Sequence, residues 1–290
     1  MKNLGFAAVG CAALLLIVAL EATPNASKVP TCTCAAFRLD DIQDYFLNNV
    51  QVEVMSVFER RGLSLTVGVI GNHIGSDPMI VDYIKNRTGD PLFEIANHGW
   101  NHEDFTELSL EGQSSLVQKT NKKIFDLLAI KPTVFIAPYN TINNDTFAAV
   151  QENGMRYISA NMTYDPPPYD IISSNQSLYR FPETVLIGDL SADDTHWITF
   201  SHQEVFEGIR ESLDQHGFAV VTMHPQDFAA RDMLNYQNMV DHNYIKELEM
   251  LLDKIQEQGI KVVTISEINR HVTQKQDIFF LQAPQPRKED

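Results

Sequence analysis

Residues 35–61 read AAFRLDDIQDYFLNNVQVEVMSVFERR. The run Ala35–Leu39 is apolar apart from one arginine, which predicts a short strand buried on both faces. This strand ends at Asp40 and Asp41, and the segment Asp44–Arg61 then carries apolar residues at helical spacing. A strand followed directly by a helix is the building unit of parallel α/β folds, so this stretch indicates the fold class.

The same pattern recurs along the chain. Further strands are predicted at Leu63–Ile70, Phe93–Ala96, Thr133–Ala137, Arg156–Ala160, Phe218–Met223 and Lys261–Ile265. Helical spacing marks Leu110–Leu128, Gln203–Gln215 and Tyr244–Gln256. We predict an α/β fold, a distorted parallel (β/α) barrel with about seven strands. An open doubly wound sheet is the alternative, but no Gly-x-Gly-x-x-Gly follows the first strand to support nucleotide binding.

The composition excludes several classes of protein. With 44% hydrophobic residues, 14 Gly and 13 Pro, the chain is neither collagen-like nor disordered. The 38 acidic residues outnumber the 22 basic ones, and a net charge of −16 makes nucleic acid an unlikely partner because phosphates are repelled. The 3 Cys are too few for a disulfide scaffold, so a metal site would use His and carboxylates. Cys32 and Cys34 pair poorly with each other and either stay free or bind elsewhere.

The N-terminus has the pattern of an export signal. Lys2 precedes an unbroken run of small and apolar residues from Gly5 to Leu20, after which the sequence turns polar. We predict a signal peptide at 1–27, or alternatively a retained anchor, then a domain at 33–270 and a tail at 271–290. Sequons begin at Asn25, Asn86, Asn144, Asn161 and Asn175. They favour a secreted glycoprotein with no transmembrane span in its mature form.

Polar clusters follow four of the predicted strands, and each has a plain structural explanation. The clusters are Asp40-Asp41, His98 to His102, Pro138-Tyr139-Asn140, and His224. The paired aspartates could cap the next helix, the two histidines could lie on a surface turn, and His224 could be a hydrogen-bonded core residue. In a parallel barrel, however, the C-terminal ends of the strands share one mouth, so we expect these clusters to meet.

Taken together, the clusters predict a metal-assisted hydrolase. Histidines four residues apart, His98 and His102, can provide two ligands to a divalent ion, and a carboxylate from another strand can provide the third. A second, adjacent carboxylate can act as a base on water, and a distant histidine can protonate the leaving group.

These residues resemble the motifs of the polysaccharide deacetylase family, also called the NodB-homology domain or carbohydrate esterase family 4. Roughly residues 33–270 are involved. Arg38-Leu39-Asp40-Asp41 resembles Thr-Phe-Asp-Asp, and His98-Gly99-Trp100-Asn101-His102 resembles His-Ser/Thr-x-x-His. Ile136-Ala137-Pro138-Tyr139-Asn140 resembles Arg-Pro-Pro-Tyr-Gly, and Val221 with Met223-His224 matches Leu-x-His. The order of these segments, rather than any one of them, makes the resemblance specific.

The resemblance implies a function and a site. Asp41, His98 and His102 would hold a divalent ion, with zinc expected first and cobalt, manganese or nickel as alternatives. Asp40 would be the catalytic base and His224 the catalytic acid. Pro138 and the backbone N–H of Tyr139 would line the oxyanion and substrate site. The reaction would remove N- or O-acetyl groups from an acetylated glycan such as chitin, peptidoglycan or xylan.

Two departures from the family pattern matter. Ile136 stands where the third motif has an arginine that braces the catalytic aspartate, and Asn140 stands in place of its glycine. Arg38 lies two residues before Asp40 and shares its strand face, so it could replace the missing arginine or pair with another acid. A fourth motif, which places an aspartate and a tryptophan beside the acid histidine, matches Asp193 with Trp197, or else Asp165.

Two other functions remain open. The same metal site could hydrolyse a non-peptide C–N bond in a small molecule. Alternatively, the missing motif arginine could mark a catalytically weakened protein that binds glycans without turning them over.

Overall fold

The computed structural model describes residues 33–169, 177–193 and 195–271. Its strands are β1 (Cys34–Ile42), β2 (Leu65–Val69), β3 (Phe93–Asn97), β4 (Val134–Ile136), β5 (Tyr157–Ser159), β6 (Tyr179–Arg180), β7 (Val185–Leu186), β8 (Gly188–Leu190), β9 (Trp197–Thr199), β10 (Ala219–Met223), β11 (Ala229–Asp232), β12 (Asn235–Val240) and β13 (Lys261–Val263). The helices are α1 (Asn48–Arg61), α2 (Pro78–Lys85), α3 (Leu110–Leu128), α4 (Asn144–Glu152), α5 (His202–His216) and α6 (His242–Glu257). Each of the predicted strands overlaps an observed one.

The main sheet is parallel and curls into a distorted barrel. Its order is β6-β5-β4-β3-β2-β1-β10-β7, and β13 also pairs with β1. Residues 181–184 join the two edges: the Glu183 N–H donates to the Ala160 carbonyl at 2.7 Å, and the Thr184 N–H donates to the Val220 carbonyl at 3.0 Å. The predicted fold class is therefore confirmed. The sheet has 9 strands because the irregular region contributes the short strands β6 and β7.

The side chains of β1 alternate between two hydrophobic cores. Phe37 packs into the outer core beneath the helices, whereas Ala36 belongs to the inner core together with Ile136. Because side chains alternate along a strand, Arg38 and Asp40 share the inner face with Ala36. Both are almost completely buried, at 0% and 1% exposure. The sequence thus places a charged pair inside the barrel, next to the apolar residues of the inner core.

The helix predictions need correction at the start of α1 and by the addition of two helices. Helix α1 begins at Asn48 rather than Asp44, because Tyr45 and Leu47 have positive φ angles of 57° and 46°. Leu47 is the N-cap, so the capping explanation for Asp40-Asp41 is wrong. Helices α2 and α4 were not predicted. The sequence features that mark their first turns are, for α2, the capping residue Asp77 followed by a proline, and, for α4, the capping box at Asn143.

The remaining expectations concern the ends of the chain. The predicted signal peptide, and all of the predicted tail except His271, lie outside the described residues. Cys34 is disulfide-bonded, so the expectation that it stays free is wrong; its partner is outside the described ranges. Within those ranges, no helix combines the length and apolar character needed to cross a membrane.

Candidate metal centre and acid–base site

A bulge at the end of β1 brings two consecutive aspartates to the same mouth. In a regular strand, Asp40 and Asp41 would point to opposite faces. The pairing of β1 with β2 shifts register between Leu39 and Ile42, and Asp41 has a φ of 62°. A bulge of this kind redirects a side chain, at the cost of placing a non-glycine residue in the left-handed region. Such strain is typical of functional sites.

The structure places Asp41, His98 and His102 together. The Oδ1 atom of Asp41 lies 3.3 Å from Nε2 of His98 and 3.3 Å from Nε2 of His102. One ligand atom from each of these residues lies within 4.8 Å of the others. His98 is buried at the end of β3, whereas Asp41 and His102 are partly open to the mouth.

This donor set suits a divalent ion. Two imidazole nitrogens and a carboxylate oxygen are typical ligands of catalytic zinc, and ligand bonds of about 2.1 Å give tetrahedral edges of about 3.4 Å. The two contacts of 3.3 Å match that edge. Nδ1 of His98 lies 2.9 Å from the Ile136 carbonyl, to which it can donate. That bond directs the Nε2 lone pair toward the other two ligands.

The electrostatics of these residues are strongly coupled. Burial would raise the pKa of Asp41, but the hydrogen bond and charge of His98, with the charges of His224 and His102, hold it well below its usual range. Burial lowers the pKa of His98, but contacts with Asp41 and the charge of Asp40 outweigh it and raise the value. Burial and the neighbouring His98 lower the pKa of His102. The lowered pKa values of Asp41 and His102 favour the deprotonated forms that bind a metal ion.

Arg38 is at the centre of a buried polar network beneath this site. Its Nη2 atom lies 3.2 Å from Oδ2 of Asp40 and 3.1 Å from Oε2 of Glu183. Nη2 also donates to the side-chain oxygen of Asn140. Nε donates to the Thr222 hydroxyl and Nη1 to the Ser159 hydroxyl, each at 2.8 Å. Both roles considered from the sequence are therefore present, since Arg38 contacts Asp40 and a second acid.

Asp40 retains one free acceptor. Its Oδ2 faces Arg38, whereas its Oδ1 is buried without a hydrogen-bond partner among the described residues. Gly68 on β2 leaves the space beside it, because a Cβ there would lie 3.4 Å from Asp40 Oδ1 and 3.4 Å from the His98 ring. A buried acceptor of this kind requires an explanation, and a proton acceptor directed into a reaction site provides one.

The loop after β4 brings Pro138 and Tyr139 to the mouth. Tyr139 and Asn140 both have left-handed backbones, with φ angles of 54° and 58°. The Tyr139 ring is 63% exposed and lies edge-on to His102, with 4.5 Å between ring centroids. Pro138 is buried against Gly99, where a Cβ would lie only 2.8 Å from the proline ring. Gly99 therefore allows this loop to approach the metal ligands closely.

His224 faces the same mouth and has a carboxylate partner that the sequence did not reveal. The charge of His224 acts on both Asp41 and His102. Its Nδ1 lies 4.0 Å from Oδ2 of Asp227, and its backbone N–H donates to that oxygen at 2.6 Å. Trp197 donates to Oδ1 of Asp227 at 2.7 Å and packs edge-on to the His224 ring.

Neither of the aspartates suggested by the fourth motif is the one beside His224. Asp165 is buried and paired with Arg180, whereas Asp193 accepts from Ser191 and Thr195 in the β8–β9 loop. Asp227 supplies the carboxylate, and Trp197 is where that motif predicted a tryptophan. The signal for Asp227 was a three-residue spacing from His224, which reads equally well as an ordinary capping turn.

Comparison with known sequences supports the resemblance. The polysaccharide deacetylase family model matches residues 28–158, a range that includes Asp40, the metal-ligand candidates and Tyr139 but not His224. A peptidoglycan-N-acetylglucosamine deacetylase of Listeria monocytogenes is 25% identical over 120 residues, which is 41% of this chain and 24% of that protein. The match thus spans about a quarter of that relative's length.

Solved structures of carbohydrate esterase family 4 proteins have a similar fold. A family 4 acetyl xylan esterase from Clostridium thermocellum, in complex with a cobalt ion, has a TM-score of 0.54 at 14% identity, covering 81% of this chain and 89% of that one. A CE4 family pseudoenzyme from Bacillus anthracis has a TM-score of 0.55 at 15% identity, covering 83% and 66%. These similarities establish the fold, and catalysis must be argued from the residues.

Proposed function

We propose that this chain, whose residues 28–158 match the polysaccharide deacetylase family model, is a metal-dependent hydrolase that removes N- or O-acetyl groups from a glycan. The main observation in support is that Asp41, His98 and His102 offer ligand atoms within 4.8 Å of one another. The acid–base candidates, Asp40 and His224, lie at the same mouth of the barrel. The substrate would be a chitin-, peptidoglycan- or xylan-like polymer. Two of the relatives are named for removing acetyl groups from such glycans.

Asp41, His98 and His102 would hold the ion. When bound, a divalent ion supplies Lewis acidity that polarises the acetyl carbonyl and makes water more acidic. Zinc is the proposed ion because the donor set is nitrogen-rich and compact; cobalt, manganese and nickel are the alternatives. The His98 bond to the Ile136 carbonyl would keep its ring in the ligating orientation during turnover.

Asp40 would act as the base. Its unpartnered Oδ1 is available to accept a proton from the attacking water, while its Oδ2 is held by Arg38. A guanidinium 3.2 Å away fixes the orientation of this carboxyl group. Arg38 would therefore do from β1 what the family's third-motif arginine does from the position of Ile136.

His224 would act as the acid that protonates the leaving group. An amine or sugar alkoxide is a poor leaving group, and a histidine has an intrinsic pKa suited to giving it a proton near neutral pH. The left-handed backbone at Tyr139 would direct its N–H toward the oxyanion, with Pro138 shaping the wall beside it. Trp197 would support the His224 ring through their edge-on contact.

The glycan-binding alternative is weakened by the Arg38 geometry. That alternative depends on the absence of an arginine at position 136, yet an arginine does contact Asp40 in this fold. Hydrolysis of a C–N bond in a small molecule uses the same residues and differs only in substrate, so a substrate panel separates it from glycan deacetylation.

Secretion and glycosylation are part of the proposal. The N-terminal pattern would direct export and leave the domain at 33–270 as the mature fold. Of the described sequons, Asn86 and Asn144 are exposed and suit an attached glycan. Asn161 is less suitable, because its side-chain amide donates to Glu183 at 2.8 Å, beside the Arg38 network.

The test is acetate release by the purified protein from N-acetylglucosamine oligomers, peptidoglycan and acetylxylan. Metal content is measured in parallel. We expect release on at least one glycan, its loss on chelation and its recovery on adding zinc. Metal-loaded protein that binds sugars but releases no acetate would support the binding-protein alternative, and turnover of small amides alone would support the small-molecule hydrolase.

A further inference from the structure

The hairpin formed by β8 and β9 holds a buried carboxylate behind His224. Asp227 has 0% exposure, and each of its side-chain oxygens has one donor. Oδ1 accepts from the Trp197 indole at 2.7 Å, and Oδ2 accepts from the His224 backbone N–H at 2.6 Å. No glycan could reach a group in this position, so any effect on the reaction must pass through His224.

The space for this arrangement depends on Gly188. A Cβ at that position would lie 2.2 Å from Oδ1 of Asp227 and 2.6 Å from the Trp197 nitrogen. Because atoms cannot approach so closely, any larger residue would push the carboxylate and the indole apart. The β8 residue at this position must therefore be a glycine for the hydrogen bond between Trp197 and Asp227 to form.

One donor near this carboxylate is unused. Nδ1 of His224 is buried and has no hydrogen-bond partner among the described residues, and it lies 4.0 Å from Oδ2 of Asp227. A small rotation of the imidazole would close this gap into a hydrogen bond. Nδ1–H would then donate to the carboxylate, and Nε2 would be the nitrogen that carries the transferable proton.

We infer that Asp227 is the positioning residue for His224, held in place by Trp197 and Gly188, and that it takes the role that sequence motifs assign to Asp193 or Asp165. This inference rests on the proposed deacetylase function. A carboxyl group fixed behind the imidazole can accept a hydrogen bond from Nδ1–H and thereby sets which nitrogen faces the leaving group. Replacing Asp227 should therefore lower the rate most for substrates whose leaving group must be protonated.

That dependence provides a test that general structural damage would not mimic. An N-acetylglucosamine oligomer releases an amine and requires protonation, whereas 4-nitrophenyl acetate releases an anion that is stable without it. For Asp227→Asn, we expect kcat/KM to fall about 100-fold on the oligomer and less than about threefold on the aryl ester. Trp197→Phe keeps the aromatic ring but removes the indole donor, and it should show the same selectivity with a smaller loss on the oligomer.

The matched control is Asp193→Asn, which changes an exposed aspartate on the same hairpin and should match wild type on both substrates. Metal content and Tm are measured for every variant. An equal loss on both substrates, or an unchanged oligomer rate in both Asp227→Asn and Trp197→Phe, would overturn the role of Asp227. Wild-type protein that hydrolyses neither these two substrates nor peptidoglycan nor acetylxylan would overturn the proposed function and this inference with it.

Discussion

The two ends of the barrel interior hold carboxylates in opposite ways. At the mouth, Asp40 and Glu183 share the Arg38 guanidinium. At the base, the donors to Glu94 within the described part of the chain are neutral, and they include the Thr66 hydroxyl at 2.9 Å and the Ser266 backbone N–H at 3.3 Å. Burial raises the pKa of Glu94, and these hydrogen bonds only partly oppose the rise.

The difference shows what Arg38 contributes. The barrel itself does not favour negative charge, because burial raises the pKa of a carboxyl at its base. A reaction site that needs an ionised base must therefore bring its own cation into the interior. Arg38 is completely buried and bonded through all three of its side-chain nitrogens. The mouth of the barrel is therefore suited to hold an acid–base group, whereas the opposite end, around Glu94, is not.

The largest effect should follow from Asp40→Asn. The amide can still accept a hydrogen bond from Arg38, but it cannot take a proton from water. We expect kcat on the best glycan to fall at least about 1000-fold. Metal content should stay near wild type, because Asp40 is not among the three ligand candidates. Tm should fall only modestly, because Arg38 keeps Glu183 as a carboxylate partner. Activity close to wild type would mean that Asp40 has only a structural role.

Arg38→Met should come next, with effects on both activity and stability. It removes the cation and leaves Asp40 and Glu183 buried without it. Breaking a buried pair in this way costs about 3–5 kcal/mol in the free energy of unfolding, measurable by urea denaturation. We expect kcat to fall about 100-fold, since Asp40 loses the group that fixes its orientation.

A second substitution distinguishes this explanation from poor packing. In the Arg38→Met background, Glu183→Gln removes one of the two unpaired charges and should recover part of the lost stability. In the wild-type background, the same Glu183→Gln change should destabilise the protein, since it removes a partner of Arg38. Additive effects of the two changes would contradict the charge network.

The features that could be predicted from the sequence are those that depend on neighbours along the chain. Buried apolar runs revealed the strands, and helical spacing gave α3 its observed ends, Leu110–Leu128. The shared strand face of Arg38 and Asp40 follows from their separation by two residues. The proximity of their side chains was therefore foreseeable, and the contact is present at 3.2 Å.

The features that were missed depend on how the barrel closes. Glu183 reaches Arg38 only because residues 181–184 cross between the sheet edges, and nothing local in its sequence marks it as a partner. Asp227 reads as a capping residue until the β8–β9 hairpin brings Trp197 onto it. The bulge that redirects Asp41 is also invisible in sequence, because Asp is not a residue that typically marks a left-handed bulge position.

A smaller effect is expected from Asn140→Gly, which restores the residue typical of the family. Glycine tolerates the φ of 58°, so the backbone should not change. The variant loses only the side chain that accepts from Arg38 and donates to Glu183. We expect a loss of about 1.5–3 kcal/mol in the free energy of unfolding and a modest fall in kcat. If Asn140 serves only the backbone geometry, this variant will be as stable as wild type or more so.

The smallest effect, and the one that tests the other side of the comparison, is Glu94→Gln at the base. The folded protein holds the Glu94 proton more tightly than the unfolded chain, whose value is near 4.5. Folding is therefore penalised increasingly as pH rises above 4.5, until the folded form also loses its proton. Glutamine keeps the acceptor for Thr66 and Ser266 but cannot ionise, so it escapes this penalty.

For Glu94→Gln, we expect Tm to rise by about 2–4 °C at neutral pH. At pH values below the pKa of this carboxyl in the unfolded chain, the Tm of the variant should match that of wild type. Glu211→Gln, on the exposed side of α5, is the control and should show no such dependence on pH. Equal Tm values for wild type and Glu94→Gln at every pH would mean that the base tolerates a negative charge without a guanidinium, and the contrast with the mouth would then fail.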